Sequence, residues 1–192
     1  MDINLNQTIK HIGELFVQMN ANAAMMGARW KNISLGKEAF SLMRGLPDIV
    51  PGEFDTPEIK ARLLGQMLER MDDKLTPRFC IEVREYIHTL DPRDDGNASE
   101  LKRLRDFVDL SLSMEEYCRK YHILLKFDPV ERTEKMESVA EEVERELDAE
   151  LAEYPRGMGF CFAYWHAKGI ALRRRGIVWR SPGAMNPNVL FD

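Results

Sequence analysis

The chain has 192 residues, of which 44% are hydrophobic and 31% charged, a balance typical of globular proteins that excludes a disordered chain. Its net charge of −5 opposes a general attraction to nucleic acids or anionic membranes, although it does not exclude a local basic patch. The first residues lack the basic region and apolar run of a signal peptide, and no uncharged stretch is apolar enough to span a bilayer. We therefore expect a cytoplasmic protein without a membrane span. The three cysteines form no C-x-x-C pair and predict reduced core residues rather than a disulfide framework or zinc site.

The first predicted element is a long helix, because apolar or small residues recur at alternating intervals of four and three up to Trp30. Its other faces are nearly uncharged, which is typical of a helix sandwiched inside a fold or shared with a second subunit. We interpret the apolar face as a partner interface composed of Leu5, Ile9, Ile12, Phe16 and Met19.

Turn and cap signals divide the rest of the chain into further helices. Ser34 is expected to cap a short helix that ends at Gly45, and residues 48–55 form a loop. Thr56-Pro57 and Thr76-Pro77 each place a hydroxyl before a proline at the first helical position, which predicts two helix starts. The turn-rich residues 91–97 then break the chain.

The second half of the chain predicts three more helices. Ser99 is expected to open a helical stretch to residue 126, with a plausible break at the capping-box pattern Ser113-Met114-Glu115-Glu116. A highly acidic helix follows from Asp128 to Tyr154, and an aromatic-rich helix covers residues 158–175. Residues 176–192 contain two prolines but many apolar side chains, so they predict an extended segment that docks on the fold.

These patterns together predict an all-α fold, an irregular bundle of six or seven helices with an extended, apolar C-terminal segment packed on it. No repeat and no linker rich in Gly, Ser or Pro separates two parts, so residues 1–192 are expected to form a single helical domain that includes the extended segment 176–192.

One stretch combines cations with aromatic rings, a mixture suited to contacting phosphates and stacking bases. The candidate ligand-binding residues are Arg156, Lys168, Arg173, Arg174, Arg175, Trp179 and Arg180. The competing interpretation is that these cations neutralise the acidic helix that precedes them, and the negative net charge favours it.

Two patterns could hold a metal ion, but neither is complete. Glu85 and His88 have the E-x-x-H spacing of di-iron bundles, which need a second such pair. Glu141, Glu142 and Glu144 resemble an acidic magnesium cluster, but Asp192 is the only acid after Glu153 to complete the cage. We therefore expect no metal site and no cofactor.

No residue set completes a catalytic constellation, so the sequence leaves the catalytic residues unknown and leans against an enzyme. The leading hypothesis is a non-enzymatic interaction or regulatory protein that self-associates or binds a protein partner, with no membrane contact. The alternative is a nucleic-acid or phosphorylated-ligand binder that uses residues 156–180. A third hypothesis is a small enzyme whose pocket the sequence does not reveal.

Overall fold

The computed structural model describes residues 3–191, and over this range the protein is all-α. No β-strand forms there; the backbone makes only an isolated bridge between Val50 and Phe54. The described residues form nine α-helices: α1 (Ile3–Ala24), α2 (Asn32–Gly45), α3 (Pro57–Glu69), α4 (Pro77–Leu90), α5 (Asp95–Val108), α6 (Met114–Lys120), α7 (Glu134–Glu150), α8 (Phe160–Arg174) and α9 (Pro182–Met185). None of these helices is long and apolar enough to cross a membrane.

The chain divides into two compact units, unit 1 (Met1–Arg105) and unit 2 (Asp106–Asp192), with the division inside α5. The expectation of a single domain stays a prediction. The described helices outnumber the predicted six or seven because the stretch 99–126 is broken into α5 and α6 and because the C-terminal segment contains the short α9. The predicted break is confirmed: Ser113 and Glu116 form the complete capping box that starts α6.

In unit 1 the closest helix packing is within two pairs, α1 with α2 and α3 with α4. Its core is rich in methionine, since Met19, Met43, Met67 and Met71 are all buried. These flexible side chains fill irregular gaps between the helices. The buried Asn32 links the pairs, because its Nδ2 donates to the carbonyl oxygens of Met19 (3.0 Å) and Arg70 (2.7 Å).

Helix starts follow the sequence pattern, but their caps differ from the expected ones. The helices α3 and α4 begin at Pro57 and Pro77 as predicted, yet the preceding threonine hydroxyls make no capping bond. Helix α5 begins before Ser99, because the Asp94 carboxylate accepts from the amide of Asn97 at 2.9 Å and caps the helix there.

The acidic helix α7 also begins later than expected. The residues Pro129–Arg132 form a 3₁₀ turn, and Thr133 caps α7 by accepting from the amide of Met136 at 3.2 Å. Within that turn, Arg132 is buried and donates to four main-chain oxygens. They belong to Asp106 (3.1 Å), Phe107 (2.5 Å), Asp109 and Leu112 (2.7 Å), at and after the end of α5. A guanidinium thus satisfies the carbonyls that a helix leaves open at its C-terminus.

Unit 2 has its core between α7 and α8, where Val143 and Leu147 pack with Ala167, Ala171 and Leu172. The chain after α8 contacts the segment before α7. Asn186 exchanges hydrogen bonds with the main chain of Lys126, donating at 2.7 Å and accepting at 2.9 Å; Arg180 Nε lies 3.1 Å from the Asp128 carboxylate; and Trp179 Nε1 donates to Glu131 at 2.7 Å.

Candidate functional site

The predicted ligand-binding cations lie along α8 and on either side of it, and most of them contact acids of α7. Arg156 pairs with Asp148 (3.2 Å), and Arg174 pairs with Glu146 (2.7 Å). Arg175 bridges Glu142 (3.0 Å) and Glu146 (2.9 Å), and these acids raise the pKa of its guanidinium.

The remaining residues of the set have similar partners. Lys168 pairs with Glu144, Arg180 with Asp128, and Trp179 donates to Glu131. Arg173 is the one cation of the set without an ion pair within the described part of the chain. The cations of this stretch therefore face the acidic helix, and few of them are left to meet phosphates.

A buried polar network lies between α7 and α8. The Tyr164 hydroxyl lies 2.7 and 2.8 Å from the two carboxylate oxygens of Glu144, and Lys168 Nζ donates to Glu144 at 2.7 Å and to the Tyr164 hydroxyl at 3.2 Å. The side chains of Glu144 and Lys168 are 8% and 11% exposed. The Lys168 ammonium also lies over the rings of Tyr164 and Trp179, 5.3 and 5.8 Å from their centroids.

Burial and charged neighbours move the pKa values of two groups in this network away from neutrality. Burial, followed by the charge of Glu144, raises the pKa of Tyr164 well above its ordinary range. Burial lowers the pKa of Lys168, but Tyr164 and Glu144 beside it outweigh that effect, and its pKa is raised overall. A neutral phenol and a protonated amine exchange no proton near pH 7, so this network stabilises the α7–α8 pair and is poorly suited to acid–base catalysis.

A second buried cation serves the fold of unit 1. Lys60 is fully buried, and its Nζ donates to Leu46 O (2.9 Å), Asp48 (2.8 Å) and the Tyr86 hydroxyl (2.9 Å). The bond from Lys60 lowers the pKa of the Asp48 carboxyl. This lysine holds the loop after α2 against α3 and α4, which a buried charge can do only when its donors are satisfied.

The candidate metal residues do not converge. Glu85 of the E-x-x-H pattern pairs with Arg105 at 2.7 Å, and the acids of α7 pair with cations as described above. Within residues 3–191, no group of three His, Cys, Asp or Glu side chains is placed to hold a metal ion.

The predicted interface on α1 is partly used inside unit 1. Met19 is fully buried in the core, and Ile12 and Phe16 pack against that core. Leu5 and Ile9 are half-buried. The interface stays a prediction, but its C-terminal half already contacts other residues of the same unit.

Helix α8 carries a second apolar surface that the sequence analysis did not identify. One side of the helix contributes Ala167, Ala171 and Leu172 to the core of unit 2. The opposite side contains residues spaced by three and four, which we call the α8 outer face: Phe162, Trp165, His166, Gly169, Ile170 and Arg173. Phe162 is 53% exposed and Ile170 36% exposed. The sequence signal for this face is that apolar residues are not confined to one side of the helix, a pattern that the sequence alone presents as aromatic rings interleaved with cations.

The aromatic rings of this face form one continuous group. Phe162 and Trp165 meet edge to face with centroids 5.4 Å apart, and Trp165 meets Phe191 in the same way at 5.1 Å. Gly183 lies close beside Trp165, since a Cβ there would be 3.2 Å from the indole ring. The C-terminal segment thus supports Trp165 from one side and leaves Phe162 open to solvent.

No family model, no curated protein and no solved structure matches this chain.

Proposed function

We propose that this chain is a non-enzymatic interaction protein that self-associates through the α8 outer face. The observation that carries the proposal is that α8 has exposed apolar side chains, Phe162 and Ile170, on the side opposite the one that packs in unit 2. Contiguous exposed apolar surface marks an interaction site.

The occupant that fits this face is a second copy of the same face. Gly169 lies at its centre, and a Cβ at that position would have no atom within 4 Å, so the helix backbone is open to close approach. Trp165 and Arg173 lie one helical turn before and after Gly169, on the same face. Two such helices crossing antiparallel at Gly169 would place Arg173 of each copy against Trp165 of the other.

That pairing is self-complementary, as a twofold interface requires. Arginine over tryptophan is a favourable cation–π arrangement. It would also give a partner to the one cation of the segment that has no ion pair in the described residues. Phe162 would add apolar contact area at each end of the crossing.

The two surfaces predicted from the sequence are less suited to binding a partner than the α8 outer face. On α1, Phe16 and Met19 already contact the core of unit 1, which leaves Leu5 and Ile9 as the free part of the predicted interface. A nucleic-acid surface on residues 156–180 would have to break ion pairs with α7 before its arginines could contact phosphates. For these reasons we place self-association on α8.

Size-exclusion chromatography with light scattering over a wide concentration range tests the proposal. We expect a dimer for the unmodified chain, and a monomer for Phe162→Glu, which introduces a charge at an exposed position. Leu124→Glu is the matched control, since Leu124 is 94% exposed in the same unit but outside α8. It should remain dimeric.

Gly169→Ala separates folding from association. Alanine in an open helix position should raise the stability of the monomer by about 0.5–1 kcal/mol, while its methyl group weakens a close helix crossing. A chain that is monomeric at every concentration, or a dimer that neither Phe162→Glu nor Gly169→Ala weakens, contradicts the proposal. If Ile9→Glu alone abolishes the dimer, the interface lies on α1 instead.

A further inference from the structure

Unit 1 contains a cavity of about 240 Å³ whose lining divides into an apolar part and a charged part. Leu68, Met71 and Cys80 line it and are buried. The charged lining consists of two arginines and two acids, Arg29, Arg84, Glu69 and Asp73.

Arg84 is the residue that singles out this cavity. Its Nη1 donates to Asn97 Oδ1 at 3.3 Å, and Asn97 Nδ2 in turn donates to the Arg84 carbonyl at 3.0 Å, so the side chain is held in place. Its Nε is buried, and no protein group among the described residues accepts a hydrogen bond from it. A buried donor of a charged group without an acceptor costs free energy, which an oxygen atom of a ligand would recover.

The charges around the cavity favour an anionic ligand. The carboxylate of Asp73 is held by Arg103, which also pairs with Glu100 at 2.9 Å. Arg29 donates one Nη1 bond to the main-chain oxygen of Glu69 at 3.2 Å, and the other donors of its guanidinium remain available on an exposed residue. Two guanidinium groups thus line the space together with two acids, the half-buried Asp73, which Arg103 neutralises, and the exposed Glu69, so one positive charge is left in excess.

We infer that this cavity binds a small monocarboxylate with a short aliphatic chain. Its carboxylate would accept from Arg84 Nε, with Arg29 adding positive charge, and its chain would lie against Leu68 and Met71. The size follows from the volume: liquid water occupies about 30 Å³ per molecule. The cavity therefore has room for roughly eight non-hydrogen atoms, the size of hexanoate. The inference is independent of self-association through α8.

Calorimetric titration of the full chain with hexanoate tests the site, with hexanamide and inorganic phosphate as matched probes. The amide keeps the chain without the charge, and phosphate keeps the charge without the chain. We expect hexanoate to bind at least tenfold more tightly than either, because a hydrogen bond to a charged partner and apolar burial act together. Arg84→Gln should weaken hexanoate binding tenfold or more, while the exposed Arg62→Gln should leave it unchanged.

Methyl spectra of chains labelled with ¹³C-methyl methionine locate the ligand. Hexanoate should shift the Met71 resonance and leave that of Met43 unchanged, since Met43 is buried in the same core but does not line the cavity. The inference is overturned if hexanoate does not bind, if a folded Arg84→Gln variant binds it equally, or if Met71 is unaffected. If hexanamide binds equally well, the cavity does not recognise the carboxylate charge. If phosphate binds equally well, the cavity does not recognise the aliphatic chain.

Discussion

Removing one member of the Glu144–Lys168 pair should destabilise unit 2 more than removing both. In Glu144→Leu the ammonium of Lys168 stays buried without its counter-ion, and in Lys168→Met the carboxylate of Glu144 loses its cation. Breaking a buried ion pair in this way costs about 3–5 kcal/mol, since both side chains are almost wholly inaccessible. With urea m-values of about 1–3 kcal/mol/M, the midpoint of unfolding should fall by roughly 1–5 M.

The double variant Glu144→Leu/Lys168→Met replaces the pair by apolar side chains of similar volume, which is often close to neutral. What remains is the Tyr164 hydroxyl without its acceptor, a loss of about 1–3 kcal/mol. The double variant should therefore be more stable than at least one single variant, in contrast to the roughly 6–10 kcal/mol expected if the two losses added.

Urea titrations followed by circular dichroism and by tryptophan emission measure these differences. Glu141→Gln is the control, because its partner Arg145 is 63% exposed and such surface pairs contribute about 0–1 kcal/mol. Single variants as mild as this control, or a double variant whose loss equals the sum of the singles, would refute the interpretation of the network as a coupled buried pair.

Two further predictions concern unit 1. Hydrogen bonding to Glu38 raises the pKa of His11 above 6.5, so NMR titration should give a raised value that falls toward 6.5 in Glu38→Gln. Because the folded pKa is the higher one, the stabilisation is complete below pH 6.5 and is lost as the pH rises through the folded pKa. In thermal unfolding, Gly65→Ala should stabilise the protein by about 0.5–1 kcal/mol, since nothing lies within 4 Å of the added methyl. Gly36→Ala should destabilise it by about 1–3 kcal/mol, because its Cβ would lie 2.6 Å from a core methionine sulfur. If Gly36→Ala proved more stable than Gly65→Ala, the close packing described around Gly36 would be contradicted.

Local signals in the sequence were sufficient to predict most of the helices. The helix-start signals depend on residues within one helical turn, so they could be located from the sequence alone. They are Thr56-Pro57, Thr76-Pro77 and the capping box at Ser113. The cap at Asp94 was missed because Asp, Ser and Asn in a turn-rich stretch offer several equivalent starts, and only the hydrogen bond to Asn97 chooses among them.

The candidate site was harder to predict because its partners are distant in sequence. Arg132 bonds to carbonyls twenty or more positions earlier, and the oxygens that accept from the buried Lys60 lie twelve or more positions away. Periodicity also fails for α8, since a helix that is apolar on both sides gives no preferred direction. The negative net charge nevertheless favours pairing of the arginines with the acidic helix, and Arg174 and Arg175 do contact Glu146.

The four carbonyls held by Arg132 have a consequence for how this polypeptide can be cut and how it emerges from a ribosome. The acceptor at Phe107 and the guanidinium are 25 positions apart, so the last turn of α5 lacks its final hydrogen bonds until those later residues have been synthesised. A fragment that stops within the intervening segment would expose the frayed end of α5 to solvent. Expression boundaries for either half should therefore keep residues 106–132 on one polypeptide.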